Sequence, residues 1–121
     1  MNIALWAGVL VIGGVGSVAR FMVDRAVARR ASGAFPIGTL TVNISGALLL
    51  GLVTGLTLSH GVALLAGTAL LGAYTTFSTW MLETQRLAEE RRIAPAVLNI
   101  VLSLVLGLAA AAAGHWIAGL L

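Results

Sequence analysis

The sequence predicts an all-α membrane protein of four transmembrane helices, the third broken at its centre. Three observations carry that reading. Of the 121 residues, 60% are hydrophobic and 9% charged. Two long stretches, residues 31–82 and 93–121, contain no Asp, Glu, Lys or Arg. A helical crossing takes about 20 apolar residues, so the first stretch supplies two crossings and the second supplies one. Residues 3–23 supply the fourth. These spans use residues 1–121 as a single domain and leave no room for a soluble catalytic unit.

The first helix is expected over residues 3–23. Gly13, Gly14, Gly16 and Ser17 suit it to close helix contact. It lacks a basic leader and has a long apolar run, so it is expected to stay as a helix and not to be cleaved as a signal. Residues 24–35 form a basic connector. Pro36 fits the first turn of a second helix, where its missing N–H costs little. That helix runs to about residue 58, with Asn43 among apolar neighbours and a repeat of small residues at Gly51 and Gly55.

After a short turn at Ser59, His60 and Gly61, the third span starts near Val62. It is expected to break over residues 72–76, where glycine followed by aromatic and β-branched residues weakens a helix. It resumes through Phe77 and Trp80 toward Glu83. Residues 83–92 are a charged connector with helical character. Pro95 opens the fourth helix, which carries Asn99 and Ser103 one turn apart on one face.

All seven basic residues are arginines, and all belong to the first or third connector or the helix ends beside them. The positive-inside rule therefore places both connectors in the cytoplasm and both termini outside. Charges spread over short connectors make no folded basic face, so no nucleic-acid partner is expected. Cysteine is absent, which removes disulfides and thiolate metal sites. No nucleophile–base pair, histidine cluster or phosphate loop is present, and no enzymatic activity is expected.

The densest chemistry lies in Gly72-Ala-Tyr-Thr-Thr-Phe-Ser-Thr-Trp80. Tyr74, Thr75, Thr76, Ser78, Thr79 and Trp80 all carry a polar hydrogen. Polar groups at membrane depth persist only where protein or a watery path satisfies them. Asn43 has two readings: an interhelical hydrogen bond, or an amide that donates to an anion. Asn99 and Ser103 invite the same pair. Phe77 and Trp80 share a helical face, and ring edges turned into a narrow path favour an anion. Carbonyls freed at the break serve either a monovalent cation or nearby hydroxyls. Arg20 either snorkels to the interface or lines an anion-attracting vestibule. No acidic residue is expected inside a span, which argues against carboxylate-coupled transport.

Three segments together resemble the Fluc (CrcB) fluoride-channel family. They are Gly13-Gly-Val-Gly-Ser-Val-Ala-Arg20-Phe21, Pro36-Ile-Gly-Thr-Leu-Thr-Val-Asn43-Ile-Ser-Gly46, and the Gly72 to Trp80 run. The resemblance implies a plasma-membrane protein of a prokaryote, built as an antiparallel dimer of oppositely oriented subunits with two narrow pores. It implies passive export of fluoride that entered as neutral HF. A structural, non-transported sodium ion would be held by backbone carbonyls of Gly72 and Thr75 from both subunits. Asn43, Phe77, Ser78, Thr79 and Trp80 would line or shape the pores, and Asn99 and Ser103 would continue the polar track. Trp80 stands where the family usually has Phe, and Ala73 where glycine is common. The one-sided arginines sit uneasily with dual insertion of one sequence, so the partner is expected to be a second copy or an oppositely biased paralogue. Two other classes share the length and span count. One is a proton-coupled multidrug exporter, which would want a carboxylate in its first span, and the other a membrane subunit with no transport of its own.

Overall fold

The computed structural model describes residues 2–121. Helix α1 spans Ile3–Arg30, and its start is capped by the side-chain oxygen of Asn2, which accepts from the Leu5 N–H at 2.8 Å. At 28 residues it is about 42 Å long, more than the roughly 30 Å hydrocarbon layer requires. It runs seven residues beyond the expected end at residue 23. Ala26, Ala28 and three arginines are good helix formers, and Arg29 and Arg30 complement the negative end of the helix dipole. Charge changed the solvent around the helix without ending it. Asp24, expected in the connector, therefore lies inside α1, and the expectation that no acidic residue falls within a span gives way, since Glu83 and Glu89 also lie within the apolar span His60–Glu89.

Helix α2 spans Ile37–Gly55 and begins directly after Pro36. Helix α3, residues 60–74, is composite. An α turn, His60–Ala63, leads into a π-helical segment, Leu64–Leu71, and then a final α turn, Gly72–Tyr74. Thr75 is extended, with φ −80° and ψ 161°. Helix α4 then runs Ser78–Glu89, and the third span as a whole bends by about 20°. The break thus falls at residues 75–77, slightly later than the sequence suggests, because Gly72 and Ala73 remain helical. Helix α4 absorbs most of the charged connector. Helix α5 spans Ile93–Leu120.

Helix α2 is the centre of the bundle. Glycines on both helices bring it backbone-to-backbone against α5: a Cβ at Gly51 would collide with the Ala111 carbonyl, and one at Gly114 of α5 with the Leu48 carbonyl. Gly55 meets Ala118 and His115 in the same way. In lipid no hydrophobic force pulls helices together, and close van der Waals contact through small residues takes over that task. On another face Gly46 lies against Tyr74 and Thr75, which lets the broken helix approach α2. Gly16 of α1 packs on the Leu70 carbonyl of the π segment.

The outward faces of α1 and α5 are apolar, with Leu10, Val11, Leu108 and Trp116 exposed. Four spans, Ile3–Arg30, Ile37–Gly55, His60–Glu89 and Ile93–Leu120, are long and apolar enough to cross a bilayer. This is a multi-pass membrane protein.

Candidate functional site in the broken helix

Asn43 is joined to the break by two hydrogen bonds. Its Nδ2 donates to the Thr76 carbonyl at 2.8 Å, and its Oδ1 accepts from the Thr76 N–H at 2.8 Å. The pairing copies a strand ladder with a side chain as one partner. It lets a helix stop at membrane depth without orphaning the Thr76 peptide.

These bonds have a cost elsewhere. In an unbroken helix the Thr76 N–H would go to the Gly72 carbonyl. The Thr79 N–H would go to Thr75, but instead it donates to Thr76 Oγ1 at 3.2 Å, so Thr76 caps α4. Gly72 and Thr75 are therefore left with carbonyls whose helical donors have been diverted. Gly72 is exposed and Thr75 half-buried. Both border a groove of about 530 Å³ that also takes in Thr54, Thr68 and Gly67. The Thr75 hydroxyl itself donates back to Leu71 at 3.1 Å, and Tyr74 is pinned to Ser45 through their hydroxyls at 2.9 Å. Free main-chain oxygens at a helix break are the donor set a monovalent cation takes in a membrane, so these two positions fit a sodium ion.

On the α5 side of the break lies a second groove of about 360 Å³. Asn43, Thr76, Phe77, Trp80 and Ser103 line it, with Leu104 and Gly107 among the apolar walls. Ser103 Oγ is buried and has no hydrogen-bond partner among the described residues. A hydroxyl left this way costs roughly 1–3 kcal/mol. Asn43 Nδ2 carries a second N–H beyond the one it gives to Thr76. The Phe77 and Trp80 rings meet edge to face, with centroids 5.6 Å apart and planes at 85°. Phe77 is 70% exposed on the isolated chain.

A third cavity, about 220 Å³, lies on the other side of Thr76. Arg20, Asp24, Thr39, Thr76 and Thr79 line it, with Phe21 and Val42. Thr76 borders both cavities and is itself buried, so the Asn43–Thr76 junction stands between them. Asp24 in the Arg20 cavity offsets part of that positive charge.

The structure thus brings Asn43, Phe77, Trp80 and Ser103 into one groove, and Arg20 and Thr79 into the neighbouring cavity. Ser78 is exposed at the break, its Oγ 3.5 Å from Thr76 Oγ1. Asn99 stands apart. It is 1% exposed, and its Nδ2 donates to Thr84 Oγ1 at 2.9 Å. Thr76 was the residue the sequence undersold, since its place at the centre of the hydroxyl run gave no hint that its peptide would be the partner of Asn43. Thr84, masked by the charged residues around it, carried no signal at all.

Fold and site together define a class: a four-span membrane protein with a polar site built into an interrupted helix. Residues 7–115 match the family described as CrcB-like protein, Camphor Resistance (CrcB), and the chain belongs to that family. It is 66% identical over 119 residues to "Fluoride-specific ion channel FluC 2" of Mycolicibacterium paratuberculosis, covering 98% of each chain. It is 64% identical over 118 residues to a protein of the same name from Mycobacterium bovis, covering 98% of this chain and 94% of the relative. "Fluoride-specific ion channel FluC 1" of Leifsonia xyli is 43% identical over 116 residues, covering 93% of this chain and 85% of the relative.

Proposed function

We propose that this protein is a fluoride-selective channel that lets the ion leave the cytoplasm passively. The observation that carries the reading is the Ser103 hydroxyl, buried and unpartnered, in the same groove as Asn43, Phe77 and Trp80. Buried hydroxyls ordinarily find a partner in a folded protein, and this one instead stands at the groove.

The physics of the ion explains the lining. An unpaired ion moved into low dielectric faces a Born penalty of tens of kcal/mol, so a bare apolar hole excludes fluoride. Arg20 raises the local anion concentration in its cavity. Thr79 and Thr76 lie in that same cavity, and the Asn43 amide stands at the junction beyond it. From there Ser103 and the aromatic rings take over. Each donor replaces a water as another is shed. A positive ring edge adds attraction without a mobile proton.

The working unit is an antiparallel dimer. The exposed Phe77 ring and the exposed Gly72 support this, since both sit on a face that a single chain leaves open. Gly72 and Thr75 from two chains would supply four carbonyl oxygens to a central sodium ion, which holds the breaks together and is not transported. Because the arginines favour one insertion, the partner is either a copy able to insert both ways or an oppositely biased paralogue.

Fluoride efflux from liposomes containing the purified protein tests the function. Rapid fluoride efflux with chloride retained is expected; equal chloride flux, or none of either ion, overturns the reading. Exchanging sodium for a bulky organic cation during purification is expected to lower the thermal stability of the dimer. Unchanged stability would remove the cation from the assembly.

A further inference from the structure

The part of the molecule that the proposed pathway does not use is the contact between α4 and α5 around Asn99. Three hydrogen bonds there form a closed loop. The Trp80 indole N–H donates to the Asn99 carbonyl at 3.2 Å. The Asn99 side-chain amide donates to Thr84 Oγ1 at 2.9 Å. The Thr84 hydroxyl donates to the Trp80 carbonyl at 2.8 Å.

The directions follow from what each group has to give. An amide nitrogen has only hydrogens to offer, so Thr84 Oγ1 must accept from Asn99, and its own single hydrogen is left for the Trp80 carbonyl. The indole nitrogen is a donor only. Asn99 and Thr84 are both buried, at 1% and 9% exposure. Breaking one link leaves a polar group stranded in an apolar interior, and the loop resists opening for that reason.

We infer that Thr84 and Asn99 are positioning residues that lock the Trp80 ring as a fixed wall of the groove, and thereby set its discrimination between small and large halides. The inference rests on the channel reading above. The indole donor is spent on the Asn99 main chain, so it is not offered to a passing ion. What Trp80 presents to the groove is ring, held against Phe77 edge to face. A ring tethered at its far end cannot swing aside, and the aperture beside Ser103 keeps one width. A tether through a single donor would leave the ring free to pivot, whereas a loop that also ties the Trp80 main chain fixes both ends of the side chain.

The test uses the full-length protein carrying Trp6→Phe and Trp116→Phe, so that Trp80 is the only tryptophan. Two quantities are read in liposomes: the fluorescence anisotropy of Trp80 and the ratio of chloride to fluoride efflux. Thr84→Val is expected to lower the anisotropy and raise the chloride ratio about fivefold to tenfold, the range that loss of one buried hydrogen bond spans. Thr84→Ser, which keeps the hydroxyl, is expected to retain both parent values. Unchanged anisotropy and ratio in Thr84→Val overturns the inference, as does Thr84→Ser behaving like Thr84→Val, because the effect would then not follow the hydroxyl. A fall in anisotropy with selectivity intact overturns the discrimination role. Should Thr84→Val not assemble, Trp80→Phe removes the indole donor and keeps a ring, and an unchanged ratio there overturns the same claim. A parent that passes no fluoride at all defeats the channel reading, while the anisotropy change still reports on the loop.

Discussion

Two faces of α2 use the same device and end differently. Toward α5, Gly51, Gly55 and Gly114 let main chains touch, and the Thr54 hydroxyl donates within its own helix to the Gly51 carbonyl. Toward the broken span, Gly46 again permits close approach, but the polar accounts do not close. The Asn43–Thr76 pairing leaves the carbonyls of Gly72 and Thr75 without helical donors, and Ser103 Oγ nearby has no partner. Close packing alone makes a seam. Close packing around a diverted peptide leaves groups free to meet a ligand.

The comparison breaks first at the seam. Gly114→Leu would drive a side chain into the Leu48 carbonyl, and overpacking of this kind costs about 3 kcal/mol or more. No monodisperse protein is expected on size exclusion; a normal profile would mean that the seam yields easily. Asn43→Ala attacks the other face. It strands both polar groups of Thr76, at about 1–3 kcal/mol each, and fluoride efflux should fall about a hundredfold. Efflux within a factor of two of the parent would reduce Asn43 to a spectator.

Phe77→Ile tests the open side of the groove. The ring is mostly exposed on one chain, so the isolated fold gains little from it. Efflux should still drop about tenfold, equivalent to roughly 1.4 kcal/mol, and an unchanged rate would take the ring out of the pathway. Ser103→Ala gives the smallest effect and the sharpest sign. Removing an unpartnered buried hydroxyl is expected to leave the melting temperature equal or higher, since a desolvation cost disappears. Efflux should fall by about fivefold, close to one lost hydrogen bond. A fall in both quantities would mean that the hydroxyl serves the fold.

The four spans were legible because hydrocarbon imposes a minimum apolar length, and long uncharged stretches register that constraint directly. The interruption was legible too, through glycine and hydroxyl residues set in an apolar run. Its position within two residues was not, since Gly72 and Ala73 are as compatible with a closing turn as with a break. The extent of α1 was not legible either, because charged residues that favour helix continue it past the apolar stretch. Asn43 and Asn99 show the deeper limit. Both are amides seven residues into apolar helices, yet one faces a groove and the other is enclosed with Thr84. Which face an amide occupies depends on helix rotation and on partners 33 and 15 residues away.

The π segment at Leu64–Leu71 has its own corollary. Each of its rings closes on the fifth residue, not the fourth, so it stores surplus chain along the span. Excising one residue there would rewind the stretch as ordinary α-helix while Tyr74 and Thr75 kept facing Gly46. Within an ordinary α-helical span, removing one residue turns everything after it off its packing face. Here the molecule carries slack, and a lineage has one stretch in which to trade it away.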